Sequence, residues 1–556
     1  MKQHATLVLF SALQLFNWIL SAQPVLVKDI RPGNADGIWL GSAESAISGN
    51  TFYFTGQDGI HGTELWKSDG TAAGTEMVRD IYLTDALPGV ERILRSYNGQ
   101  LYFMGQDINS GIELWRTTEG PEGAILFRDA CPDKCGTILH DYSIDEFQGK
   151  LFFKSYEETT NEELWISDGT VAGTHLFKDI DPGLSDSRPG LFAVYQDKLY
   201  FVADSSTSGL EPWVTDGTPE GTHSLKEINP SYFGGSRISG FKAASTGLYF
   251  FANNNANGLE LWKTDGSSSG TSMVKDIAEG ENDGIYGYDN IANTMEWNGK
   301  LLFIANDGTT GRELWATEGS TESTALVKDI HPGSDDSDIF FLANLDGKIL
   351  FEAQDGTNGT ELWITDGSST GTRMLKNINA GSASGLGQET PSIVFQNRLY
   401  FTANNGSKGR ELWVSDGTEA GTKLLYDINS GSAESNPSNY QMLGTTLMFF
   451  AKTAAKGREL WKLDLSTVGT REPVNTDLLH IIPTISHDGV FQVSLTEQAG
   501  EELNIRVYDA QGRECANQHI TSVTREWALT SLPAGVYFVH ASSGEQYQSV
   551  QKIVIY

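Results

Sequence analysis

Cysteine and basic residues are both scarce in this chain, and each scarcity excludes a class of protein. Three cysteines in 556 residues cannot supply a disulfide framework, so buried apolar side chains must hold the fold together. Lys and Arg number 39 against 72 Asp and Glu, which gives a net charge of −33. A chain this acidic repels polyanions, and we therefore expect no nucleic-acid partner.

Long apolar runs are missing after the first 22 residues. The chain begins with the charged Lys2, continues through an apolar segment from Ala5 to Leu20, and leaves it through the small residues Ser21 and Ala22. This order is typical of a secretory signal peptide, and polar residues interrupt the segment too often for a membrane span of about 20 apolar residues. We predict a signal peptide over residues 1–22, no transmembrane segment after it, and a secreted chain.

What the sequence has in abundance is one repeated motif, Glu-Leu-Trp followed by Asp-Gly-Thr or a close variant. Its first copy runs from Glu64 to Thr75. Successive copies stand 48 to 53 residues apart, a period that indicates a repeat architecture. The nine tryptophans that mark the copies are Trp66, Trp115, Trp165, Trp213, Trp262, Trp315, Trp363, Trp413 and Trp461.

Each copy contains four short β-rich runs separated by turn signals. In the copy around Trp363 the runs are Phe340–Leu345, Lys348–Ala353, Thr360–Asp366 and Thr372–Ile378. An Asp-Gly pair between the first two runs favours a hairpin, and the Asp-Gly-Ser segment suits a longer turn between the last two. A four-stranded antiparallel meander of about 45 to 50 residues is the size of a propeller blade, so we predict an all-β propeller.

The two ends of the repeat region predict how the propeller closes. Val25–Ile30 matches the fourth run of a blade, yet no third run precedes it. The last copy has the opposite defect, because no fourth run follows Asp464. Pairing the N-terminal run with the last copy leaves no exposed strand edge. We therefore predict a closed propeller over residues 23–473, with nine blades favoured and eight blades plus an irregular element as the alternative.

These motifs resemble the ELWxxDGT repeat family of secreted bacterial proteins. The resemblance covers Val25 to Pro473 and nine copies of the motif, with departures at Pro212 and in the turns after Trp115 and Trp315. The family name describes a repeat and not a reaction, so it carries no catalytic residues over to this chain.

The period stops after Pro473, and residues 474–556 read as a second, smaller unit. Alternating or apolar runs such as Val490–Leu495, Leu503–Tyr508 and Val536–His540 are separated by turn residues. About 80 residues of this pattern suit two packed sheets, and we predict a small Ig-like β-sandwich.

In order, the segments Asp488–Phe491, Val507–Arg513, Leu532–Val539 and Lys552–Ile555 resemble the type A C-terminal sorting domain of type IX secretion substrates. The resemblance covers the tail, although the usual Asn-Pro-x-x-Gly opening is degenerate here. It implies that the type IX secretion machinery and its sorting peptidase are partners. It also implies that the chain reaches the bacterial cell surface or the medium after the tail is removed.

Each candidate site has a structural alternative. The nine tryptophans could form an aromatic ring for sugars, but a large side chain at one strand position of every repeat favours packing between blades. The Asp-Gly-Thr segments are interpreted as structural turns. Asp335, Asp336 and Asp338 are candidate Ca²⁺ ligands, although a solvated acidic loop is favoured because EF-hand spacing is absent.

Cys131 and Cys135 lie in one inter-blade connection, where a local disulfide is favoured in an exported chain. That disulfide would leave Cys515 unpaired. The ten histidines show no His-x-x-x-His spacing, and the chain has no Gly-x-Ser-x-Gly signature. We therefore predict no catalytic residues, no cofactor and no enzyme activity.

Strand direction predicts where a ligand binds. In a meander the first-to-second and third-to-fourth turns share one face, while the second-to-third loops and the blade-to-blade connections share the other. The connections vary in this chain, and binding usually uses variable loops on a rigid scaffold. We place the ligand at the longest connection, Glu279–Asn293, with Tyr286 and Tyr288 as candidates. A non-catalytic adhesion or binding protein for an extracellular glycan or protein is favoured, and a polysaccharide hydrolase or lyase is the alternative.

Overall fold

The structure is a computed structural model that describes residues 23–39, 43–83, 88–130, 143–183, 185–206, 208–230, 235–286 and 291–466 of the repeat region. In the tail it describes residues 479–482, 485–486, 491–495, 502–509, 513–521, 526–529, 532–533, 535–543 and 547–555. All regular secondary structure in these ranges is β-strand. None of the described residues forms a helix that could span a membrane.

The repeat region forms nine four-stranded antiparallel sheets. The strands of blades 1 to 3 are β2 Ser45–Ser48, β3 Thr51–Gly56, β4 Glu64–Ser68, β5 Glu76–Arg79, β6 Val90–Tyr97, β7 Gln100–Asp107, β8 Gly111–Thr117, β9 Ala124–Arg128, β10 Ile144–Phe147, β11 Lys150–Glu157, β12 Asn161–Ser167 and β13 His175–Lys178. Those of blades 4 to 6 are β14 Gly190–Tyr195, β15 Lys198–Ser205, β16 Gly209–Thr215, β17 His223–Ser224, β18 Phe241–Ala244, β19 Gly247–Asn253, β20 Leu259–Thr264, β21 Ser272–Met273, β22 Met295–Trp297, β23 Lys300–Asn306, β24 Arg312–Thr317 and β25 Ala325–Lys328. Those of blades 7 to 9 are β26 Phe340–Leu345, β27 Lys348–Gln354, β28 Thr360–Thr365, β29 Arg373–Lys376, β30 Ser392–Phe395, β31 Arg398–Asn404, β32 Arg410–Ser415, β33 Lys423–Tyr426, β34 Ser438–Leu443, β35 Thr446–Thr453, β36 Gly457–Asp464 and the N-terminal β1 Val25–Lys28.

The blades form a closed ring, and the prediction of a nine-bladed propeller is confirmed. We label the strands of each blade a, b, c and d, from the centre of the ring outwards. Strands a of most neighbouring blades contact one another, and β34 of the last blade contacts β2 of the first. Strands b are buried over most of their length, as in β23, because blades cover both of their faces.

The N-terminal strand closes the ring as the sequence predicted. Strand β1 pairs antiparallel with β36, with Val25 opposite Lys462 and Leu26 opposite Trp461. It therefore serves as strand d of the ninth blade and covers an edge that would otherwise be open. Val27 and Ile30 are buried in the core between the ninth and first blades.

The repeated tryptophans lie between blades. Trp115, with 3% of its surface exposed, packs with Leu65 and Ile81 of the preceding blade. Trp363, with 5% exposed, packs with Leu302 and Leu314 in the same way. Eight of the nine indoles are buried and Trp461 is half-buried, so they do not offer an aromatic surface to a sugar.

A second contact between neighbouring blades joins strand d of one blade to the Asp-Gly-Thr segment of the next. The lysine near the end of strand d donates to the carbonyl of the last threonine in the next blade's Asp-Gly-Thr segment. Lys376 Nζ lies 2.6 Å from Thr422 O, and Lys226 Nζ lies 2.6 Å from Thr271 O. Lys28 makes the same bond to Thr75 at 2.5 Å, so the closing strand uses the contact found inside the ring.

The described parts of the tail form two sheets. One has the order β37 Leu479–Ile482, β39 Phe491–Leu495 and β42 Glu526–Leu529. The other has the order β38 Ile485–Ser486, β44 Tyr547–Ile555, β43 Gly535–Ser543, β40 Glu502–Asp509 and β41 Glu514–Thr521. The tail is all-β as predicted, and its assignment as Ig-like stays a prediction.

Deleting Val25–Ile30 should expose the edge of β36 and destabilise the ring. Burial of Val27 and Ile30 alone contributes about 3–6 kcal/mol, and an unpaired edge promotes aggregation. We expect a lower Tm and a broadened transition by calorimetry, with oligomers in size-exclusion chromatography. Val25→Ala is the control, since that side chain is 52% exposed and its loss should leave the Tm unchanged. A truncated protein that stays monomeric and melts like the wild type would contradict the closure.

Candidate ligand-binding surface

The two ends of the blades differ in how much their sequences vary from one blade to the next. The a–b and c–d turns lie at one end, which we call the turn face. In blade 7 these turns are Asp346-Gly347 and the segment that starts at Asp366. The b–c loops and the d–a connections between blades lie at the other end, which we call the loop face. A ligand site that is not repeated nine times has to be sought mainly on the loop face.

The Asp-Gly-Thr segment of the turn face is locked by its own side chains. Asp69 Oδ1 accepts the amide N–H of Thr71 at 2.8 Å and the hydroxyl of the same residue at 2.7 Å. These hydrogen bonds, the hydroxyl first, lower the pKa of the Asp69 carboxyl. The same bond from a serine or threonine hydroxyl recurs at Asp168, Asp216, Asp265, Asp366 and Asp416. The carboxylates of this motif are therefore occupied in holding turns.

The glutamate of each Glu-Leu-Trp copy is buried and holds the connection that leaves its blade. Glu361 accepts main-chain N–H groups from Ile378 at 2.6 Å, Asn379 at 3.1 Å and Gly385 at 2.9 Å. Sequence reasoning missed this role. The contact to the start of the connection recurs at Glu64, Glu113, Glu163, Glu211, Glu260, Glu313, Glu411 and Glu459.

Burial shifts the titration of these glutamates. Removal from water raises the pKa of Glu361 to about 7. In Glu260 burial raises the pKa to about 8, and the nearby Asp276 adds to the shift. Raised carboxyl pKa values often mark general acids, but the partners of Glu361 and Glu260 are main-chain amides of the connections. We assign both a structural role.

Most connections also carry an anchor residue, whose carbonyl accepts an N–H from the end of strand b in the next blade. The anchor is Gly or Ser, and these residues are Gly37, Gly89, Ser187, Ser236, Gly284, Ser337, Gly385 and Ser435. At Gly37 a Cβ atom would lie 2.5 Å from Glu459 Oε1, so a side chain there would require this carboxylate to shift. After the glycine anchors a buried apolar residue follows, and these residues are Ile38, Val90, Ile285 and Leu386.

Tyr286 follows one of these buried residues and is 43% exposed on the loop face. Its ring lies against the guanidinium of Arg312, with the Arg312 Cζ atom 5.2 Å from the ring centroid. Arg312 belongs to blade 6 and also approaches Asp336, at 4.0 Å between Nη1 and Oδ2. The structure thus brings together two connections that the sequence singled out separately, one with Tyr286 and one with the acidic segment.

The three candidate Ca²⁺ ligands make protein contacts instead of converging. Asp336 Oδ1 accepts the main-chain N–H of Arg312 at 2.9 Å. Asp338 Oδ2 accepts an N–H from Gln354 at 2.9 Å, and Asp335 has 81% of its side chain exposed. Within the described ranges no three His, Cys, Asp or Glu side chains are arranged to hold a metal ion. Asp336 therefore forms an acidic rim beside Arg312, the residue that lies against the Tyr286 ring.

Several predicted residues lie outside the part of the chain that the structure describes. Tyr288, Cys131, Cys135 and the signal peptide over residues 1–22 belong to this group, so the second tyrosine and the local disulfide stay predictions. Cys515 is described and is an exposed free thiol.

A cleft opens on the turn face against the tail. Its lining includes Asn344, Asp346 and Asn397 of the propeller together with Arg506 and Glu514 of the tail. Arg506 forms an ion pair with Asp346 across it. Because one wall belongs to the tail, the cleft is not a property of the propeller alone, and we do not place the ligand there.

Fold and surface together define the class of this protein as a nine-bladed β-propeller joined to a small all-β tail. Residues 487–556 match the family model of the secretion system C-terminal sorting domain. The tail is therefore a type IX sorting domain, as the sequence predicted, and implies interaction with that secretion system and a cell-surface or extracellular location. No curated protein matches the chain. The ELWxxDGT assignment of the repeats stays a resemblance.

Several solved structures match the chain at low identity. A puromycin hydrolase is 13% identical, with 69% of this chain and 60% of that chain covered and a TM-score of 0.31. A puromycin-hydrolyzing peptidase from Mycobacterium tuberculosis is 10% identical, with 65% and 57% covered and a TM-score of 0.34. The extracellular domain of a putative one-component system from B. thetaiotaomicron is 10% identical, with 93% and 87% covered and a TM-score of 0.22. This chain spans less than two thirds of either puromycin-hydrolysing protein, and likeness at these TM-scores does not bear on function.

The buried glutamates should make stability fall as the pH rises. Between the ordinary carboxyl pKa of 4.5 and the folded value of about 7, Glu361 keeps in the fold a proton that the unfolded chain releases. Its contribution is therefore complete below about pH 4.5 and is lost as the pH passes 7, at up to about 1.4 kcal/mol per pH unit. Glu361→Gln should cost more unfolding free energy at pH 5 than at pH 8, measured by urea titration.

Glu361 suits this test because Asn377 replaces the neighbouring aspartate of most other blades. Glu419→Gln, at an exposed position in the turn of the next blade, is the control and should leave the stability close to that of the wild type. A stability difference between wild type and Glu361→Gln that is the same at pH 5 and pH 8 would contradict the assignment.

The sorting tail should be absent from the delivered protein. We expect cleavage between Glu472 and Ile482, because this segment joins the propeller to the domain that the secretion system recognises. Mass spectrometry of surface-attached or released protein from the producing cell measures the C-terminus. Peptides extending to Tyr556 in that material would refute processing, and intracellular protein from the same cells is the control that should retain them.

Proposed function

We propose that this chain is a secreted or cell-surface binding protein whose loop face engages an extracellular glycan around Tyr286, without catalysis. The observation that carries the proposal is the exposed Tyr286 ring, which is held by the Arg312 guanidinium beside the acidic rim of Asp336. A fixed, partly exposed aromatic ring with polar groups at its edge suits a sugar, because ring C–H groups pack on the aromatic face and hydroxyls meet the polar groups.

The charge of the protein indicates which class of glycan it can bind. The chain carries a net charge of −33, and acidic polysaccharides would be repelled over a large surface. Asp335 and Asp336 add negative charge to the connection that meets Arg312, whereas hydroxyl groups donate hydrogen bonds to carboxylates. The proposal is therefore a neutral glycan, which binds through stacking and hydrogen bonds.

The alternative function is a polysaccharide hydrolase or lyase. A glycosidase needs two carboxyl groups about 5–10 Å apart on either side of the substrate. Two carboxylates of these connections already accept protein donors, Asp283 from Leu259 N at 2.7 Å and Asp338 from Gln354. These contacts support binding over catalysis.

Tyr286→Ala should weaken binding to the glycan by tenfold or more, since it removes the stacking surface, and tenfold corresponds to about 1.4 kcal/mol. The measurement is a glycan array of neutral polysaccharides followed by titration of the best hit. Val171→Ala is the matched control, because Val171 is 66% exposed on the turn face. Unchanged binding in Tyr286→Ala would reject this site, and polysaccharide cleavage abolished by Asp283→Asn would favour the enzyme.

A further inference from the structure

Trp39 occupies the same anchored position as Tyr286, five blades away in the ring of nine. Gly37 O accepts Gln57 N at 2.8 Å, and Gly284 O accepts Asn306 N at 2.9 Å. The following residues, Ile38 and Ile285, are both 0% exposed. The next residue in each connection points outwards, with Trp39 60% exposed and Tyr286 43% exposed.

Trp39 and Tyr286 can be compared with the residues at the same position in other connections of the ring. Two other connections have the glycine anchor and the buried apolar residue, and there the third residue is Glu91 or Gly387. A Cβ atom at Gly387 would lie 2.8 Å from Arg410 Nη1, the counterpart of the arginine beneath Tyr286. At Tyr286 and Gly387 this position thus lies over the arginine that precedes the next Glu-Leu-Trp. Two of the four positions carry a large aromatic ring that the fold does not bury.

The surroundings of Trp39 also depart from the repeat. The b–c loop of blade 1 runs beside the connection, because Gln57 Nε2 bonds to Asp36 O at 3.3 Å. That loop exposes Ile60 by 67%. The equivalent loop residues in blades 6, 7 and 8 are the polar Thr309, Thr357 and Ser407. Blade 1 therefore exposes an apolar side chain where these blades have a polar one, in a loop that is hydrogen-bonded to the connection carrying Trp39.

We propose that Trp39 is a second platform for a sugar ring and that the loop face is bivalent for neutral polysaccharide. The proposal rests on the glycan function inferred for Tyr286 and adds a site to it. The indole offers a larger flat face than the tyrosine. Five of nine blades separate the two platforms, which places them on opposite sides of the ring. A long polysaccharide, or a surface dense in glycans, can occupy both, and the second contact then raises affinity by avidity.

The test uses the full mature propeller and neutral probes, namely hexasaccharides of β-1,4-glucan, β-1,4-xylan and β-1,4-mannan with their parent polysaccharides. Calorimetry of the wild type should give two hexasaccharides per chain for the preferred sugar. Trp39→Ala and Tyr286→Ala should each give one, and the double variant none. Each single variant should lose roughly 100-fold or more in affinity for the polysaccharide, the range expected when avidity is lost.

Two further variants keep the result interpretable. Trp39→Phe retains a ring and should retain two sites, which separates stacking from any effect on folding. Glu91→Ala changes the same anchored position in another connection and should leave stoichiometry and affinity unchanged.

The possible failures are distinct. One hexasaccharide per wild-type chain, lost in Tyr286→Ala and kept in Trp39→Ala, overturns the second platform and leaves the proposed function in place. No binding of any hexasaccharide or polysaccharide by the wild type overturns the proposed function and, with it, the bivalent surface.

Discussion

The propeller depends on a carboxylate that is buried in every blade. A glutamate in the middle of an apolar strand is costly to bury unless its oxygens are hydrogen-bonded, and here main-chain amides of the outgoing connection supply those bonds. The bonds fix where the connection leaves the blade and, through the anchor residue, where it reaches the next one. The other residues of the connections are not held by these repeated bonds, and that is where the chain varies.

The repeated residues form contacts between blades as well as within them. The tryptophan packs on the preceding blade, and the lysine of strand d bonds to the turn of the following blade. A terminal blade would therefore lack partners on one side. Strand β1 removes that defect, since Lys28 repeats the bond to Thr75 and Val27 fills the seam. The ring therefore closes through the same interactions that join each blade to the next.

The sequence was sufficient for features that depend on spacing or local chemistry, and insufficient for contacts between distant residues. The period and the unmatched run Val25–Ile30 predicted the blades and the closing strand, which the structure confirms. The Glu361 contacts could not be foreseen, because a lone acid in a strand normally indicates a solvent-exposed position and its partners lie 17 to 24 residues later. The contact of Tyr286 with Arg312 likewise crosses from a connection to the next blade.

A repeat protein contains its own reference for function. When nine copies share a fold, a residue that is needed for packing is found in most copies, as the buried glutamates and tryptophans are. An exposed residue that differs from its counterparts in the other copies is not explained by packing. Trp39 and Tyr286 satisfy this criterion because Glu91 and Gly387 hold the same anchored position without an aromatic ring. The criterion also separates these rings from the Asp-Gly-Thr carboxylates, which are exposed but recur and are held in turns. The physical basis for placing the ligand is thus the combination of a fixed backbone, an exposed ring and a break in the repeat.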